Sequence, residues 1–431
     1  MAESGDKVLI VHHKGEEQGI LMPSPEKDVT IIKLNNGYNM GFEDKTIKEI
    51  KLLEQKNEAK KLEVKKVKSK EGLKSVTILH CGGTIASKVD YKTGAVKAKF
   101  SPEELLEMFP ELGEIVNLNS KLIANMLSEN MNFSHYNLIA KEIKKEIERG
   151  TRGIIITHGT DTLHYTSAAL SFILEGLKIP VLLVGAQRSS DRGSSDAFLN
   201  LKCATQFIAE TDFAGVAVCM HATSEDEDCV ILPGVKVRKM HSSRRDAFKP
   251  INTLAYALIN SVGKIKWLNN NYLHEGKSEI KLRLLHENIR VGILKSHPQM
   301  YHEEIEAYQK FDGVILEGTG LGHFPVEKSD DFTSENEEIY NSLLKLAKKI
   351  PTVMVLQTIF GIVNMNVYSP GRKLISAGVL GTGLDITPET AFIKLAWLLS
   401  NYEKKDVKDL WYKDFRGEIN KKIVYQKDFL E

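Results

Sequence analysis

The sequence contains little cysteine. Its 431 residues include four cysteines, Cys81, Cys203, Cys219 and Cys229. Four are too few for a disulfide framework in a chain of this length, and their spacing matches no metal-ligand motif. Free cysteine is among the residue types that are buried most often. We therefore predict four free, buried thiols.

Long hydrophobic runs and an excess of one charge are also missing. No stretch of 18 or more apolar residues occurs, so no membrane-spanning helix is predicted. The first six residues are polar and acidic and lack the apolar core of a signal peptide. The net charge of +1 creates no field that would attract the whole chain to nucleic acid or to a membrane. These absences favour a soluble cytoplasmic protein.

A chain of 431 residues is too long for one hydrophobic core, so two or three domains are expected. Residues 1–70 are predicted to form a small β-barrel module with a linker. Three strand candidates occupy residues 7–11, 19–23 and 28–34, and Asn35-Asn36-Gly37 follows as a tight-turn sequence. Short strands at this spacing are typical of a small barrel.

Lysine is concentrated after the predicted barrel. Residues 45–74 contain eleven lysines and five glutamates. Such a composition is typical of a solvated helix or a linker. A basic patch that contacts the phosphates of RNA is the alternative.

From Ser75 onward the pattern becomes strand, Gly-rich turn and helix in repetition. Helices are predicted over residues 136–149 and 167–177, between apolar strands at 76–79, 153–157 and 180–184. This alternation predicts a doubly wound α/β domain over residues 75–265.

A polar stretch at residues 267–278 is predicted to be a linker. Strand candidates then return at residues 290–294, 313–317 and 352–357. They predict a second, smaller α/β domain over residues 285–431. The expected architecture is thus two doubly wound α/β domains behind a small N-terminal β-barrel module.

Three motifs lie where strands of the first α/β domain end: Cys81–Thr84, His158–Thr162 and Gly185–Arg188. Ligands bind outside the carboxyl ends of strands in open parallel sheets. Gly82 and Gly83 allow the backbone to approach a ligand closely. The Gly-Gly-Thr sequence lacks the Lys-Ser/Thr ending of a nucleotide phosphate loop.

The second motif places a hydroxyl and a carboxylate side by side, at Thr160 and Asp161. A carboxylate alone is a poor activator of threonine, whereas a neighbouring lysine can accept its proton. Lys239 is the candidate, although in isolation it would be interpreted as a surface lysine. His158 alone would suggest a base or a metal ligand, but no second ligand has suitable spacing, so we interpret it as structural.

Two segments carry a family resemblance. Residues 77–87, TILHCGGTIAS, and 153–162, GIIITHGTDT, resemble the two signatures of the bacterial-type L-asparaginase family. The resemblance covers residues 75–400. It implies an asparaginase-type fold, hydrolysis of a carboxamide through a threonine nucleophile, and no metal.

The resemblance also implies roles for particular residues. The catalytic set is Thr84 on a loop together with Thr160, Asp161 and Lys239, and either threonine is a candidate for the first attack. The residues implied to contact the substrate are Ser128, Glu129, Gly83, Gly159 and Tyr91. Main-chain N–H groups of the two Gly-rich turns would stabilise the oxyanion.

A narrower resemblance comes from the segments 18–23, 33–40 and 361–368 with Gly371-Arg372. They resemble the D subunits of the archaeal glutamyl-tRNA(Gln) amidotransferases. That likeness implies a glutaminase or asparaginase that supplies ammonia to a partner, the amidotransferase E subunit. The partner uses ATP and Mg²⁺ to convert the glutamate on charged tRNA(Gln), and the chain itself needs no cofactor. A homodimer within a heterotetramer is expected.

Two other functions remain open. One is a free-standing cytoplasmic L-asparaginase, and the module at residues 1–70 argues against it because hydrolysis does not need that module. The other is a non-catalytic scaffold subunit. The intact set of Thr84, Thr160, Asp161 and Lys239 argues against it.

Overall fold

The computed structural model describes the greater part of the chain. The described residues are 2, 6–22, 24, 28–34, 39–54, 70–83, 87–90, 95–98, 111–188, 195–277 and 279–422. Four predictions lie wholly or partly outside them: the loop threonine Thr84, the substrate contact Tyr91, the tight turn at residues 35–38 and the lysine-rich segment at residues 45–74, of which residues 55–69 are not described.

The N-terminal module, residues 7–54, is an antiparallel sheet. Its strands are β1 (Lys7–His12), β2 (Gly15–Met22), β3 (Val29–Leu34), β4 (Asn39–Glu43) and β5 (Ile47–Glu54). They lie in the order β4-β3-β2-β1-β5. Val8, Ile10, Ile32 and Phe42 form a buried core of their own within the module. The predicted small β module is therefore present.

The outer strands of this sheet, β4 and β5, are joined by a turn of only three residues, Asp44–Thr46. In a flat sheet, four strand spacings would put these edges about 19 Å apart. The turn together with its two junctions spans at most about 14 Å. The sheet must therefore curl so that its two edges approach each other, which gives the module a barrel-like shape.

The first α/β domain is built on a nine-stranded sheet. The strands of this part of the chain are β6 (Ser75–Gly82), β7 (Ser87–Asp90), β8 (Ala95–Ala98), β9 (Asn117–Met126), β10 (Gly153–Thr157), β11 (Leu174–Glu175), β12 (Pro180–Val184), β13 (Phe213–His221), β14 (Asp228–Pro233), β15 (Val237–Lys239), β16 (Phe248–Pro250), β17 (Ala257–Asn260), β18 (Ile265–Trp267), β19 (Leu273–His274) and β20 (Lys281–Leu282). The helices are α1 (Leu112–Ile115), α2 (Phe133–Glu148), α3 (Leu163–Ile173) and α4 (Ala197–Glu210).

Five neighbouring strands of this sheet are parallel, in the order β9-β6-β10-β12-β13. Strands β14, β17 and β18 extend the sheet in antiparallel fashion. Successive residues of β10 face opposite sides: Ile154 and Ile156 join the core with α2 and α3, whereas Ile155 joins the core with α4. Both faces are covered, which explains why these strands are apolar throughout.

Two sequence predictions for this domain were wrong in detail. The helix predicted over residues 167–177 is α3, which begins at Leu163 and ends at Ile173. The chain then forms strand β11 and turns at Gly176, whose φ of +83° favours glycine. The polar stretch at 267–278 is not wholly a linker, because Trp267 stacks on Tyr272 and β19 pairs with β13.

The second α/β domain has a three-stranded parallel sheet, in the order β21-β22-β23. Its elements are β21 (Val291–Lys295), β22 (Gly313–Gly318), β23 (Thr352–Leu356), α5 (His302–Glu306), α6 (Glu335–Lys349), α7 (Ser369–Ala377), α8 (Pro388–Asn401) and α9 (Val407–Trp411). Short 3-10 turns occur at Ser128–Asn130, Ala307–Lys310, Asp331–Thr333 and Lys404–Asp406.

Helix α8 joins the two α/β domains. It packs against α3 of the first domain and against the sheet of the second. Its Trp397 is fully buried, and the ring centroid of Trp397 lies 5.3 Å from that of Phe172 on α3. One hydrophobic core thus continues from the first domain into the second. Among the described residues, no helix has the length and apolar character needed to cross a membrane.

All four cysteines are free and buried, as predicted. Burial raises the pKa of the Cys81 thiol to about 12. Such a thiol stays protonated at neutral pH and is a poor nucleophile. Cys81, the first residue of the first strand-end motif, is therefore a packing residue of the core.

Candidate active site

Three Gly-rich turns meet at the carboxyl ends of β6, β10 and β12. A Cβ atom at Gly83 would lie 2.6 Å from the main-chain nitrogen of Gly159. At Gly159 it would lie 2.8 Å from the Cβ of Ser128, and at Gly185 it would lie 2.8 Å from Cγ2 of Thr160. These distances are too short for any side chain. The glycines are required because three strand ends and the turn after β9 converge on one place.

Lys239 lies beside the predicted hydroxyl and carboxylate. Its Nζ donates a hydrogen bond to Thr160 Oγ1 at 2.9 Å and another to Asp161 Oδ1 at 2.8 Å. The Lys239 side chain is 10% exposed, whereas that of Asp161 is 68% exposed. The structure thus brings Lys239 to the adjacent pair Thr160 and Asp161, which lie 79 and 78 residues before it in the chain. Among the described residues, the site is exposed at Asp161 and buried at Lys239.

Ser128 and Glu129 lie at the edge of the same site, in the short turn that follows β9. Ser128 is 3% exposed, and its carbonyl accepts a hydrogen bond from Thr162 Oγ1 at 2.6 Å. Glu129 is exposed. Its carboxylate is therefore accessible from solvent, whereas the Ser128 side chain is packed against Gly159.

His158 forms hydrogen bonds that hold the Gly-rich turn after β10. It is fully buried, with Nδ1 2.7 Å from the Gly159 carbonyl and Nε2 2.8 Å from Thr166 Oγ1. Burial lowers the pKa of His158 to about 4, so the ring is neutral at physiological pH. A neutral ring donates from Nδ1 to Gly159 and accepts at Nε2 from Thr166. This arrangement fits the structural interpretation of His158.

Gln187 and the ion pair between Arg238 and Glu389 also lie at the site, and the sequence did not predict a role for them. Gln187, from the third strand-end motif, accepts a hydrogen bond from Thr160 Oγ1 at 3.4 Å. Its Nε2 is buried and has no hydrogen-bond partner among the described residues. The position of Gln187 in a strand-end motif could have identified it from the sequence. The ion pair between Arg238 and Glu389, directly behind Lys239, had no sequence signal because the two residues belong to different domains.

Comparison with known families accounts for nearly the whole chain. Residues 75–272 match the family described as "Asparaginase, N-terminal", and residues 290–410 match "Glutaminase/Asparaginase C-terminal domain". Residues 2–53 match the "GatD N-terminal domain". The N-terminal module is therefore similar to a domain that is distinct from the two asparaginase domains.

The chain is 43% identical over 427 residues to the D subunit of the glutamyl-tRNA(Gln) amidotransferase of Thermococcus kodakarensis, a match that covers 96% of this chain and 94% of that protein. It is 42% identical over 428 residues to the protein of the same name from Pyrococcus furiosus, with 97% and 95% covered. This chain belongs to the amidotransferase D-subunit family. The family recognised from the sequence motifs is thereby confirmed.

L-asparaginases are among the solved structures similar to this D-subunit family member. The thermostable L-asparaginase from Thermococcus kodakarensis superimposes with a TM-score of 0.70 at 28% identity, covering 80% of this chain and 99% of that one. L-asparaginase I from Vibrio cholerae gives a TM-score of 0.68 at 28% identity, with 81% and 99% covered. The two α/β domains therefore form an asparaginase-type unit, and the predicted fold class is confirmed.

Proposed function

We propose that this chain releases ammonia from the carboxamide of glutamine or asparagine. It acts as the D subunit of an amidotransferase that converts Glu-tRNA(Gln) to Gln-tRNA(Gln). The observation that carries the proposal is the pair of hydrogen bonds from Lys239 Nζ to Thr160 and Asp161. Membership of the D-subunit family supports the tRNA-dependent role.

The proposed reaction is an acyl transfer through threonine. The hydroxyl oxygen of Thr84 or Thr160 attacks the carboxamide carbon, and Lys239 serves as the base that accepts the hydroxyl proton. Main-chain N–H groups near Gly83 and Gly159 stabilise the oxyanion. The C–N bond breaks as Lys239 returns the proton to the leaving nitrogen, which departs as ammonia. Water then hydrolyses the acyl ester and leaves the free acid.

Asp161 supports this reaction by holding Lys239 toward Thr160. Glu129 and Ser128 are proposed to bind the amino-acid head of the substrate, together with Tyr91. A carboxylate such as Glu129 can pair with the substrate's ammonium group. Closure of the open side next to Asp161 is assigned to a second copy of the chain, within a homodimer that forms part of a heterotetramer.

The partner in this proposal is the amidotransferase E subunit. It uses ATP and Mg²⁺ to activate the glutamate on charged tRNA(Gln), and it receives the ammonia made here. The complex works in the cytoplasm, where charged tRNA is used. The present chain supplies ammonia and requires no cofactor of its own.

The decisive experiment measures hydrolysis of glutamine and asparagine by the chain alone, with the E subunit, and with both the E subunit and Glu-tRNA(Gln). We expect ammonia release to rise when partner and charged tRNA are present, and Gln-tRNA(Gln) to form. A free-standing asparaginase, which the likeness to L-asparaginases favours, would hydrolyse asparagine at one rate in all three mixtures. A scaffold subunit would hydrolyse neither amide in any of them, and that result would refute the proposal.

A further inference from the structure

The residues just before Lys239 are held by the second α/β domain. Lys239 is the last residue of β15, which is only three residues long and pairs with another three-residue strand, β16. Main-chain hydrogen bonds from Met240 to Ala247 and from Ile251 to Lys236 flank this pairing, and together they hold one edge of β15. Further contacts to this segment come from the second α/β domain.

Arg238 makes the first of these contacts. Neighbouring residues of a strand point to opposite sides, so Arg238 extends away from Thr160 and toward the second domain. Its guanidinium lies 2.8 Å from Oε1 of Glu389, near the start of α8. The side chain of Glu389 is only 7% exposed, and that of Arg238 is 25% exposed. Burial raises the pKa of Glu389, and the charge of Arg238 opposes that shift.

Arg238 is the principal cation facing Glu389. His164 of α3 also approaches, with Nε2 3.9 Å from Oε1 of Glu389. Burial, followed by the nearby charges of Arg238 and Lys239, lowers the pKa of His164 to about 3. His164 is therefore neutral at physiological pH. Loss of Glu389 would leave the charge of Arg238 without its buried counter-ion.

Two more contacts come from the same short segment. Lys236 Nζ donates to Asp385 Oδ2 at 2.7 Å, and both side chains are at least 91% buried. Thr390 Oγ1 donates to the carbonyl oxygen of Val235 at 2.9 Å. Residues 235, 236 and 238 are thus each bonded to residues 385–390, which we name the clamp segment.

We propose that the clamp segment positions Lys239 for amide hydrolysis. By fixing residues 235–238 from behind, it keeps Lys239 Nζ within hydrogen-bond distance of Thr160 and Asp161. Glu389 and Arg238 are positioning residues in this view, because they act through Lys239 and do not contact the substrate. The inference rests on the proposed function. According to the inference, the second α/β domain of each chain positions the catalytic lysine in the first domain of the same chain.

The test compares Glu389→Ala and Glu389→Gln with Glu418→Gln as a matched control. Glu418 is also a fully buried carboxylate paired with a lysine of α8, since Lys394 Nζ lies 2.7 Å from Glu418 Oε1. Its other hydrogen bonds come from the main chain of residues 415 and 416 and from the Asp414 side chain, and not from residues 235–239. Both substitutions to glutamine remove one buried charge, so a general loss of stability affects both variants.

We expect Glu389→Ala, measured in the full complex with glutamine, to lower kcat on the order of 10- to 100-fold with little change in KM, as for a displaced catalytic group. Glu389→Gln should lose less, because its amide oxygen can still accept from Arg238. Glu418→Gln should keep kcat near that of the wild type even if its melting temperature falls. Thr390→Val removes the hydrogen bond to Val235 while keeping nearly the same side-chain volume. This variant replaces Glu389→Ala in the test if Glu389→Ala does not fold. We expect its kcat to be severalfold lower than that of the wild type.

A kcat near the wild-type value in Glu389→Ala, or in Thr390→Val where that variant replaces it, overturns the inference. An equal loss of kcat in Glu418→Gln also overturns it. Lys239→Met, measured in parallel, distinguishes failure of the clamp inference from failure of the proposed function. If Lys239→Met is inactive while Glu389→Ala is normal, only the clamp is refuted. If the wild type releases no ammonia, the proposed function itself fails. If Lys239→Met is as active as the wild type, the lysine takes no part in the reaction and the clamp inference is overturned with it.

Discussion

Lys239 is the residue on which the proposed chemistry depends most. It is bonded to both Thr160 and Asp161, so each of the three side chains can be tested separately. We expect Lys239→Met, Thr160→Val and Asp161→Asn each to lower amide hydrolysis by ~10²-fold or more, the size of lost acid–base assistance. Steady-state assays give the rates, and circular dichroism checks that folding is unchanged. Near-normal turnover by Lys239→Met would remove the lysine from the mechanism.

Thr84 is the second candidate nucleophile. It lies outside the described residues, but Gly83, which precedes it, sits against Gly159 in the site. We expect Thr84→Ala to abolish turnover while leaving glutamine binding measurable by calorimetry, because the hydroxyl is needed for attack and not for binding. Thr84→Ser, which retains a hydroxyl, is the control and should keep partial activity. Wild-type turnover by Thr84→Ala would contradict this role.

Between helices α5 and α6, an ion pair makes stability depend on pH. His302 Nδ1 lies 2.7 Å from Glu335 Oε1, and the His302 main-chain nitrogen donates to the same oxygen at 2.9 Å. The hydrogen bond to Glu335 raises the pKa of His302, and the bonds from His302 lower the pKa of Glu335.

A histidine with a raised pKa adds stability that is complete below its unfolded value, about 6.5, and is lost as pH rises through the folded value. A glutamate with a lowered pKa adds stability above about 4.5 that is lost as pH falls. We therefore expect Glu335→Gln to lower the melting temperature more at about pH 6 than at about pH 9. Glu338→Gln, also in the first turn of α6, controls for the helix dipole. An equal effect of Glu335→Gln at both pH values would show that the charge interaction between Glu335 and His302 contributes nothing to stability.

The N-terminal module has its own core and can be removed as a unit. Lys70 and Leu73 bond to Asn117 of the first α/β domain, so a shortened chain should begin at Lys70. We expect this chain to fold and to retain basal amide hydrolysis, because no proposed catalytic residue lies in the module. Its defect should appear in tRNA-dependent amidation, as weaker association with the E subunit or charged tRNA.

Both reactions should be measured on the same shortened protein and at several salt concentrations. A salt-dependent loss of amidation would indicate that lysines of this region contact phosphates, because each contact releases counterions. Aggregation with loss of both activities would instead show that the module shields apolar surface. Full competence in both assays would refute a role in contacting the partner.

Much of the architecture follows from local sequence. The apolar strands that end in Gly-rich turns predicted the parallel sheet and its strand-end site, because strand and turn preferences act over a few neighbouring residues. Helix boundaries were predicted less accurately from the local sequence. Helix α3 begins four residues before the predicted start, because its first turn, at Leu163, is buried by tertiary packing. Trp267 and Tyr272 likewise belong to the sheet edge through stacking that a linker composition does not reveal.

The sequence alone determines the motifs, the fold class and the family, because these depend on residues close together along the chain. It also identifies Thr160, Asp161 and Lys239 as candidates. The bonds that join Lys239 to the other two exist only once β10 and β15 are assembled. The requirement for Gly83 and Gly159 likewise arises where separate strand ends meet.

The contact between Arg238 and Glu389 depends still more on the assembled molecule. It forms because α8 of the second domain packs against α3 of the first and brings Glu389 behind Lys239. No local pattern marks Glu389 as different from other glutamates near a helix start, where a carboxylate is common. Its environment is set by the burial and charge of residues distant in sequence, and these are properties of the packed structure.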